Sequence, residues 1–494
     1  MILRRLYDDE LAQASYLLGC EAMRQAIVVD PNLNIQQYLD AAADEGLTIA
    51  CVTETHIHAD FVSGARALAA ATGAKLLLSA EGGPDWQYRV GQSDSRTVGQ
   101  DGGRNDEALD VDLLHDGDSI TIGGIRLDTM HTPGHTPEHL SFLVTDTAMS
   151  DQPVGMFSGD FIFVGDVGRP DLLERAAHVA GTMEASAHKL FDSLRTVADL
   201  PDHLQLWPGH GAGSACGKAL GAMPQSTLGY EWLTNTALRE TDRAAFVRDI
   251  LSAQPEPPRY FARMKQVNRD GMPAVPAGAP ARHLSPAEVD DALAGGGLVV
   301  DTRSSAAFVA GFAPGTVCVP RSRSFTSYFG AVAPAEAPVV LLVADAADVG
   351  PLAQRLHLIG FDRVTGWAVA EDVLDARRRG GRPVASLVTT GVDEVRRRLD
   401  AGGPPPRLVD VRGAGERQLG VIPGAIGVAL GELADWAAAA SRDEPVIVQC
   451  HTSTRAVIGA SVLVGRGFLH VTPMTGGYDA WTAAGLPVRL PSPT

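Results

Sequence analysis

The second half of the chain is written twice. Leu298–Arg303 reads LVVDTR and Leu408–Arg412 reads LVDVR, and matching positions stay 107 to 109 residues apart along the likeness. In each copy a Pro-Gly pair falls 13 residues after the aspartate, at Pro314-Gly315 and Pro423-Gly424. An apolar run follows (PVVLLV, PVIVQC), and each copy closes on Gly-Phe, at Gly360-Phe361 and Gly467-Phe468. A repeat of about 100 residues is the size of a small domain and far longer than a solenoid unit. Alternation of strand-like and helix-like runs within each copy predicts two α/β domains with parallel sheets, over 281–385 and 386–494.

The copies part company where chemistry is expected. PVIVQC ends on Cys450, followed by a polar loop, Arg455 and a helix-like run. A thiol there faces the N–H groups of its own loop and the positive end of a helix, and both favour a thiolate or an anionic persulfide. In the earlier copy Val343 stands at the position of Cys450, and ADAAD replaces the polar loop, so Asp345 and Asp348 would repel an anion. That copy is expected to be silent. Cys318, in PGTVCVP, reads as a core residue.

Upstream, AIVVDP, LTIACVTE and AKLLLSA are short β-rich runs, and NIQQYLDAAADEG reads as an amphipathic helix ending at a glycine. THIHAD sets His56 and His58 two apart directly after a strand, where alternate side chains share a face. Further clusters follow apolar runs in turn: HTPGHTPEH (His131, His135, His139), FSGDFIF (Asp160) and WPGHGAG (His210). A lone histidine is most often a hydrogen-bonded core or surface residue; four His/Asp clusters in loops after successive strands predict a metal site. This domain is expected over 1–255, joined to the repeat by a Pro-rich linker over 256–280.

A formal net charge of −18 with no basic patch argues against a nucleic-acid partner. No apolar run is long enough for a membrane span. Five cysteines without paired spacing (Cys20, Cys51, Cys216, Cys318, Cys450) fit a reducing cytoplasm, with Cys20, Cys51 and Cys216 read as small buried hydrophobes.

THIHAD, TPGHT, SGD and PGHG, in that order, resemble the metallo-β-lactamase superfamily, which implies a four-layered αβ/βα sandwich with metal at the strand ends. GDFIFVGDVGRPDL (Gly159–Leu172) resembles the persulfide dioxygenases of that superfamily, and HGAGSACGKALGAMPQSTLGYE resembles bacterial members fused to sulfurtransferase domains. That resemblance implies one Fe(II) per chain, held by His56, His135 and Asp160, with three coordination positions open for O₂ and substrate. His58, Asp60 and His210 are expected to surround the metal without ligating it, His58 through a hydrogen bond to a coordinated water. Two-metal hydrolases of the superfamily carry histidine where Phe61 stands. Arg169 is expected to meet the anionic end of a thiol carrier; His131 and His139 are expected to be structural.

VDVRGAGERQLGVIPGAI, the Cys450 loop and TGGYDAWTAAGLPV resemble the rhodanese sulfurtransferases. The six-residue span Cys450–Arg455 matches their loop, which implies catalytic roles for Cys450 and for Arg455 beside its sulfur, and Val421 departs from the usual histidine. Together these resemblances imply a persulfide dioxygenase coupled to sulfur transfer. Its partners would be a thiol persulfide, O₂ and sulfite, in a homo-oligomer. A zinc-dependent glyoxalase-II-like thioester hydrolase with an accessory rhodanese module is the alternative. A flavodiiron-type reductase would need a flavin domain that is not evident, and a non-catalytic persulfide sensor would hold no metal.

Overall fold

The computed structural model describes residues 1–89, 109–175, 181–218, 220–252, 254–271, 281–334, 337–401 and 405–490. They form two compact units: one holds Met1–Pro257, the helix Phe261–Asp270 and Leu358–Gly360, and the other holds the rest of both copies of the repeat.

The first unit is built on two six-stranded sheets. In one, Ile2–Asp8, Gln13–Cys20 and Gln25–Val29 pair antiparallel, and Thr48–Thr53, Lys75–Ser79 and Val111–Leu114 continue it in parallel. The other runs, edge to edge, through Ser226–Thr227, Gln205–Pro208, Gly155–Gly159, Leu140–Asp146, Ile125–His131 and Ser119–Ile122. Alternate residues of both sheets, among them Tyr16, Ile27, Val29, Phe142, Phe157 and Trp207, share one buried cluster between them. On the outer face of the first sheet lie the helices Gln36–Asp44 and Ala65–Thr72, which bury Tyr38, Ala41, Leu68 and Ala69. On that of the second lie Met183–Thr196 and Arg243–Leu251, through Leu190, Leu194, Phe246 and Ile250. The layers are therefore helix, sheet, sheet, helix, as expected. No helix among the described residues is long and apolar enough to cross a membrane.

The expected linker is partly a folded element. Residues 272–280 lie outside the described residues, but Phe261–Asp270 is helical and buries Phe261, Met264, Val267 and Asn268. The three- and four-residue spacing of those side chains is helical, and the surrounding prolines and glycines obscured it.

In the second unit the two copies have the same build. Parallel strands run in the order Val317–Cys318, Leu298–Asp301, Val339–Val343, Val364–Val369 in one, and Ile426–Gly427, Arg407–Asp410, Val446–Gln449, Val471–Pro473 in the other. The edge strand Arg282–His283 beyond Val364–Val369 has its counterpart in the parallel bridge Thr390–Met474. Each copy also buries the same ion pair. Arg303 grips Asp301 and donates to the Gly311 carbonyl; Arg412 grips Asp410 and donates to the Gly420 carbonyl.

The copies are not independent cores. Phe308, Phe312 and Cys318 of the first lie in one apolar cluster with Leu433, Val448, Cys450, Ile458 and Leu463 of the second. The Cys318 N–H donates across to Ser461 Oγ at 2.9 Å. Phe308 is fully enclosed and stacked on Phe312, with ring centroids 4.3 Å apart. Phe308→Ala should cost about 3–5 kcal/mol, and hydrogen exchange should accelerate in Val446–Gln449 and Thr454–Gly465 as well as in Leu298–Asp301. Loss of protection confined to the first copy would show the cores to be separate.

Candidate functional site

Loops at one end of the sandwich bring the histidines together. Glu54–Asp60 follows the strand Thr48–Thr53, His135 lies in the turn between Ile125–His131 and Leu140–Asp146, Asp160 follows Gly155–Gly159, and His210 follows Gln205–Pro208. One donor atom each from His56, His135 and Asp160 lies within 4.8 Å of the others. His135 Nε2 is 3.3 Å and His56 Nε2 3.9 Å from Asp160 Oδ2. All three side chains are buried, and these atoms have no hydrogen-bond partner among the described residues. Buried polar atoms without partners are costly; a divalent cation among them satisfies all three at once, so the donor set fits a metal.

The ring orientations are set from behind. Thr55 Oγ1 donates to Asp30 Oδ2 at 2.8 Å, so it accepts from His56 Nδ1 at 2.9 Å and leaves Nε2 bare. His135 Nδ1 donates to the Arg169 carbonyl at 2.9 Å, which frees its Nε2 likewise. Burial first, then neighbouring imidazoles, holds His56 well below its ordinary pKa, and burial lowers His135. Both rings are therefore in the neutral form a metal needs. His139 accepts the Asp160 N–H on Nε2 at 3.1 Å and stacks on His56, so its structural role is to place one ligand and brace another. His131, as expected, is structural, with Nε2 bonded to the Pro137 carbonyl. Gly159 has φ +49°, and a Cβ there would lie 2.5 Å from Thr55 Oγ1 and 2.7 Å from His139 Nε2.

His58 turns away from the trio through Nε2, which meets Glu54 Oε2 at 2.8 Å and Asp30 Oδ1 at 3.2 Å. Burial alone would lower this imidazole, but Asp30 and Glu54 raise it well above its ordinary pKa. Its Nδ1 is buried without a partner. Phe61 is fully enclosed, its ring centroid 4.3 Å from that of His58. Beyond it a second buried group forms: Asp60, His210 and Cys216 also offer donor atoms within 4.8 Å of one another. His210 Nε2 lies 3.4 Å from Asp60 Oδ2 and 3.5 Å from Asp160 Oδ1, with Nδ1 on the Ala12 carbonyl. Burial chiefly, with Asp60 and Asp160, pushes the Cys216 thiol well above its ordinary value.

Arg169 does not offer its charge to a substrate. Its side chain is 0% exposed and grips Asp171 through Nε and Nη2, both at 2.8 Å, while Nη1 donates to the Ala215 and Pro255 carbonyls. The polar look of VGRPDL suggested a surface arginine; here it is the pin that holds its own carbonyl against His135. Asp30, Glu54 and Glu138 were missed by the sequence reading. Glu138 Oε1 accepts the Ile57 N–H at 2.7 Å, and burial pushes its carboxyl up to about 7. Asp30 has φ +53°, unusual outside glycine. The one available hint was an aspartate ending the apolar run AIVVDP.

In the second unit Cys450 ends the strand Val446–Gln449 ahead of the helix Thr454–Gly465, as expected. Burial raises the thiol, 1% exposed; the N–H groups of Ala456, Thr452 and Arg455 and the Arg455 charge pull it back without reversing the rise. The resting group is therefore more thiol-like than the loop alone suggests. Cys51 is half-buried, not core; Cys20, Cys216 and Cys318 are buried. Arg455 is bound bidentately to Glu416, Nη1–Oε2 at 2.5 Å and Nη2–Oε1 at 2.7 Å.

A family model described as the metallo-beta-lactamase superfamily matches residues 8–210. The crystal structure of a metallo-beta-lactamase from Staphylococcus aureus subsp. aureus COL is 38% identical, covers 75% of this chain and 99% of its own, and superposes with a TM-score of 0.64. The chain belongs to the metallo-β-lactamase superfamily. A rhodanese-like domain model matches residues 391–484, which include Cys450 and Arg455. Among curated metallo-β-lactamase relatives, the "Persulfide dioxygenase ETHE1, mitochondrial" of Bos taurus is 26% identical over 42% of this chain and 68% of its own length. A "Beta-lactamase hydrolase-like protein" of Xylella fastidiosa (strain 9a5c) is 26% identical over 53% of this chain, which spans only 58% of that relative.

Asp30→Asn keeps the side-chain size and tolerates the left-handed backbone, but it replaces one acceptor oxygen by an NH₂ group. Metal affinity of the purified protein should fall about 10–100-fold, the usual effect of losing a partner behind a ligand, with the thermal unfolding of the second unit unchanged. Equal affinity in a titration of metal-stripped wild type and variant would remove Asp30 from the site.

Proposed function

We propose that the chain is an iron-dependent persulfide dioxygenase coupled to a sulfurtransferase, with one Fe(II) held by His56, His135 and Asp160. The observation that carries this reading is the trio of bare, buried donor atoms, two imidazole and one carboxylate, next to a phenylalanine that cannot ligate. Such a facial set leaves positions open on the metal. Bound ferrous iron would supply electron transfer to O₂ and a place for the substrate sulfur. The balance is R–S–SH + O₂ + H₂O → R–SH + SO₃²⁻ + 2H⁺. The protein's share is orientation and exclusion of water. Asp30 and Arg169 fix the two rings, His139 fixes the carboxylate, and the enclosed rings of Phe61, Phe161 and Phe163 keep this end of the sandwich dry.

The sulfite leaves for Cys450. The Cys450 thiolate attacks the outer sulfur of a second persulfide, a Cys–S–SH bond forms, and R–S⁻ departs with the electron pair. Sulfite then attacks the outer sulfur of Cys450–S–SH, giving S₂O₃²⁻, a proton and the free thiolate. The rhodanese-like match across Cys450 and the place of its thiol between the strand Val446–Gln449 and the start of the helix Thr454–Gly465 support this half. The chain would work on small sulfur compounds as a soluble enzyme of a reducing cytoplasm.

One observation favours a second reading. The buried Asp60, His210 and Cys216 group could take a further ion, as a zinc-dependent thioester hydrolase would require. Oxygen uptake separates the two. Wild-type protein with glutathione persulfide should consume O₂, and His135→Ala should not. Cys450→Ser should consume O₂ at the wild-type rate but accumulate sulfite in place of thiosulfate. Thioester hydrolysis under argon with two zinc ions per chain would establish the hydrolase instead.

A further inference from the structure

The two copies act as an internal control for which ion pairs serve the fold and which serve chemistry. The buried Asp-x-Arg pair is present in both, Asp301–Arg303 and Asp410–Arg412, each tied to a glycine carbonyl eight residues on. A pair kept in both copies answers to the shared architecture. The Glu416–Arg455 pair is different. By the same register Ala307 stands where Glu416 is, and Asp348 where Arg455 is. The copy that lacks the cysteine lacks both partners, so the parallel fold does not need them.

Arg455 is the cation nearest the sulfur-carrying loop in sequence, and its guanidinium is held by a carboxylate. Both Nη atoms bind Glu416, whose Oε2 also accepts the Gly413 N–H at 3.0 Å. Burial favours the neutral acid, yet the Arg455 guanidinium keeps the Glu416 carboxyl below its ordinary pKa. His451, also in the loop, faces a carboxylate as well, with Nδ1 3.2 Å from Asp479 Oδ1. Arg412, stacked on Tyr478 at 3.9 Å, is bound to Asp410. The Arg455 and Arg412 guanidiniums are thus already paired with carboxylates, so the pull of Arg455 on the Cys450 sulfur is shared with Glu416, and the backbone N–H groups are the donors that no carboxylate offsets.

Backbone dipoles hold one terminal sulfur well, but they do not offset two full charges on a small ion. Resting on the sulfur-transfer reading above, we propose that Glu416 is a specificity residue of the Cys450 site: by pairing off Arg455 it selects thiol persulfides, whose reacting end carries at most one charge, as sulfur donors and denies the compact thiosulfate dianion a hold. Thiosulfate is then a product that departs, and sulfur flows from persulfide to sulfite. In the reverse sense, thiosulfate would transfer its outer sulfur to Cys450, with sulfite leaving on the electron pair. Glu416 suppresses that entry.

The test uses the full chain and two donors, thiosulfate and glutathione persulfide, with cyanide as acceptor. In Glu416→Gln the amide still accepts from Arg455 but no longer cancels its charge. The KM for thiosulfate should fall about tenfold, the worth of one hydrogen bond to a charged group, with a far smaller change for the persulfide. Glu416→Asp should keep the wild-type preference. A merely structural Glu416 would lower kcat for both donors alike, and that result, or an unchanged thiosulfate KM, overturns the proposal. A wild-type measurement stands even if the variant misfolds: the thiosulfate KM should be nearly flat with ionic strength, and a steep rise with salt would reveal a free cation and sink the idea. If wild-type Cys450 takes sulfur from neither donor, the sulfur-transfer reading itself fails; if it takes sulfur from persulfide but Glu416→Gln gains nothing with thiosulfate, only the role of Glu416 fails.

Discussion

A single enclosed carboxylate underlies the metal-facing end of the first unit. Asp30 receives the Thr55 N–H at 2.6 Å, the Thr55 hydroxyl at 2.8 Å and the His58 Nε2 at 3.2 Å. A carboxylate away from water is tolerated only when its oxygens are met in this way. The reward is geometric: one oxygen acts through Thr55 on His56, the other directly on His58, so both imidazoles of THIHAD are oriented by the same group. The loop is also fixed from other sides. Glu138 takes the Ile57 N–H, and Asn268 Nδ2 donates to the His58 and Phe61 carbonyls, each at 2.8 Å. The helix carrying Asn268 comes from the segment read as linker, so chain beyond the sandwich closes the back of the site.

Much of this was legible in the letters. The strands ending in His or Asp were readable because alternating or continuous apolar runs and terminal polar residues are local signals, and the repeat because strand, turn and helix recur in register. What escaped detection depended on packing at long range. Asp30 and Glu138 lie 108 residues apart in sequence, and nothing near either marks it as buried. Arg169 looked like a surface residue because its partners, apart from Asp171, are carbonyls supplied by Ala215 and Pro255. Arg455 was expected to serve the Cys450 sulfur directly; its carboxylate partner sits 39 residues upstream, out of reach of motif reading.

The second unit shows how duplication separates constraint from use. Strand order, parallel pairing and the Asp-x-Arg clasp persist in both copies, while the cysteine and the charged pair beside it occur in one. The fold tolerates Val343, Ala307 and Asp348 because a loop after a parallel strand carries little of the packing. The apolar face beneath that loop is another matter, since Ile458 and Leu463 on the helix after Cys450 lie in the cluster that also holds Phe308 and Cys318.

That common cluster gives the copy without the cysteine a part to play beside the copy that has it. A chain trimmed to begin at residue 386 would leave the side of Thr454–Gly465 that meets Cys318 facing water, with Ser461 short of the amide it accepts. Such a fragment would be sticky before it was slow. The half without the cysteine is thus the other half's built-in solubility partner, and its loop can vary freely as long as that greasy underside is left alone.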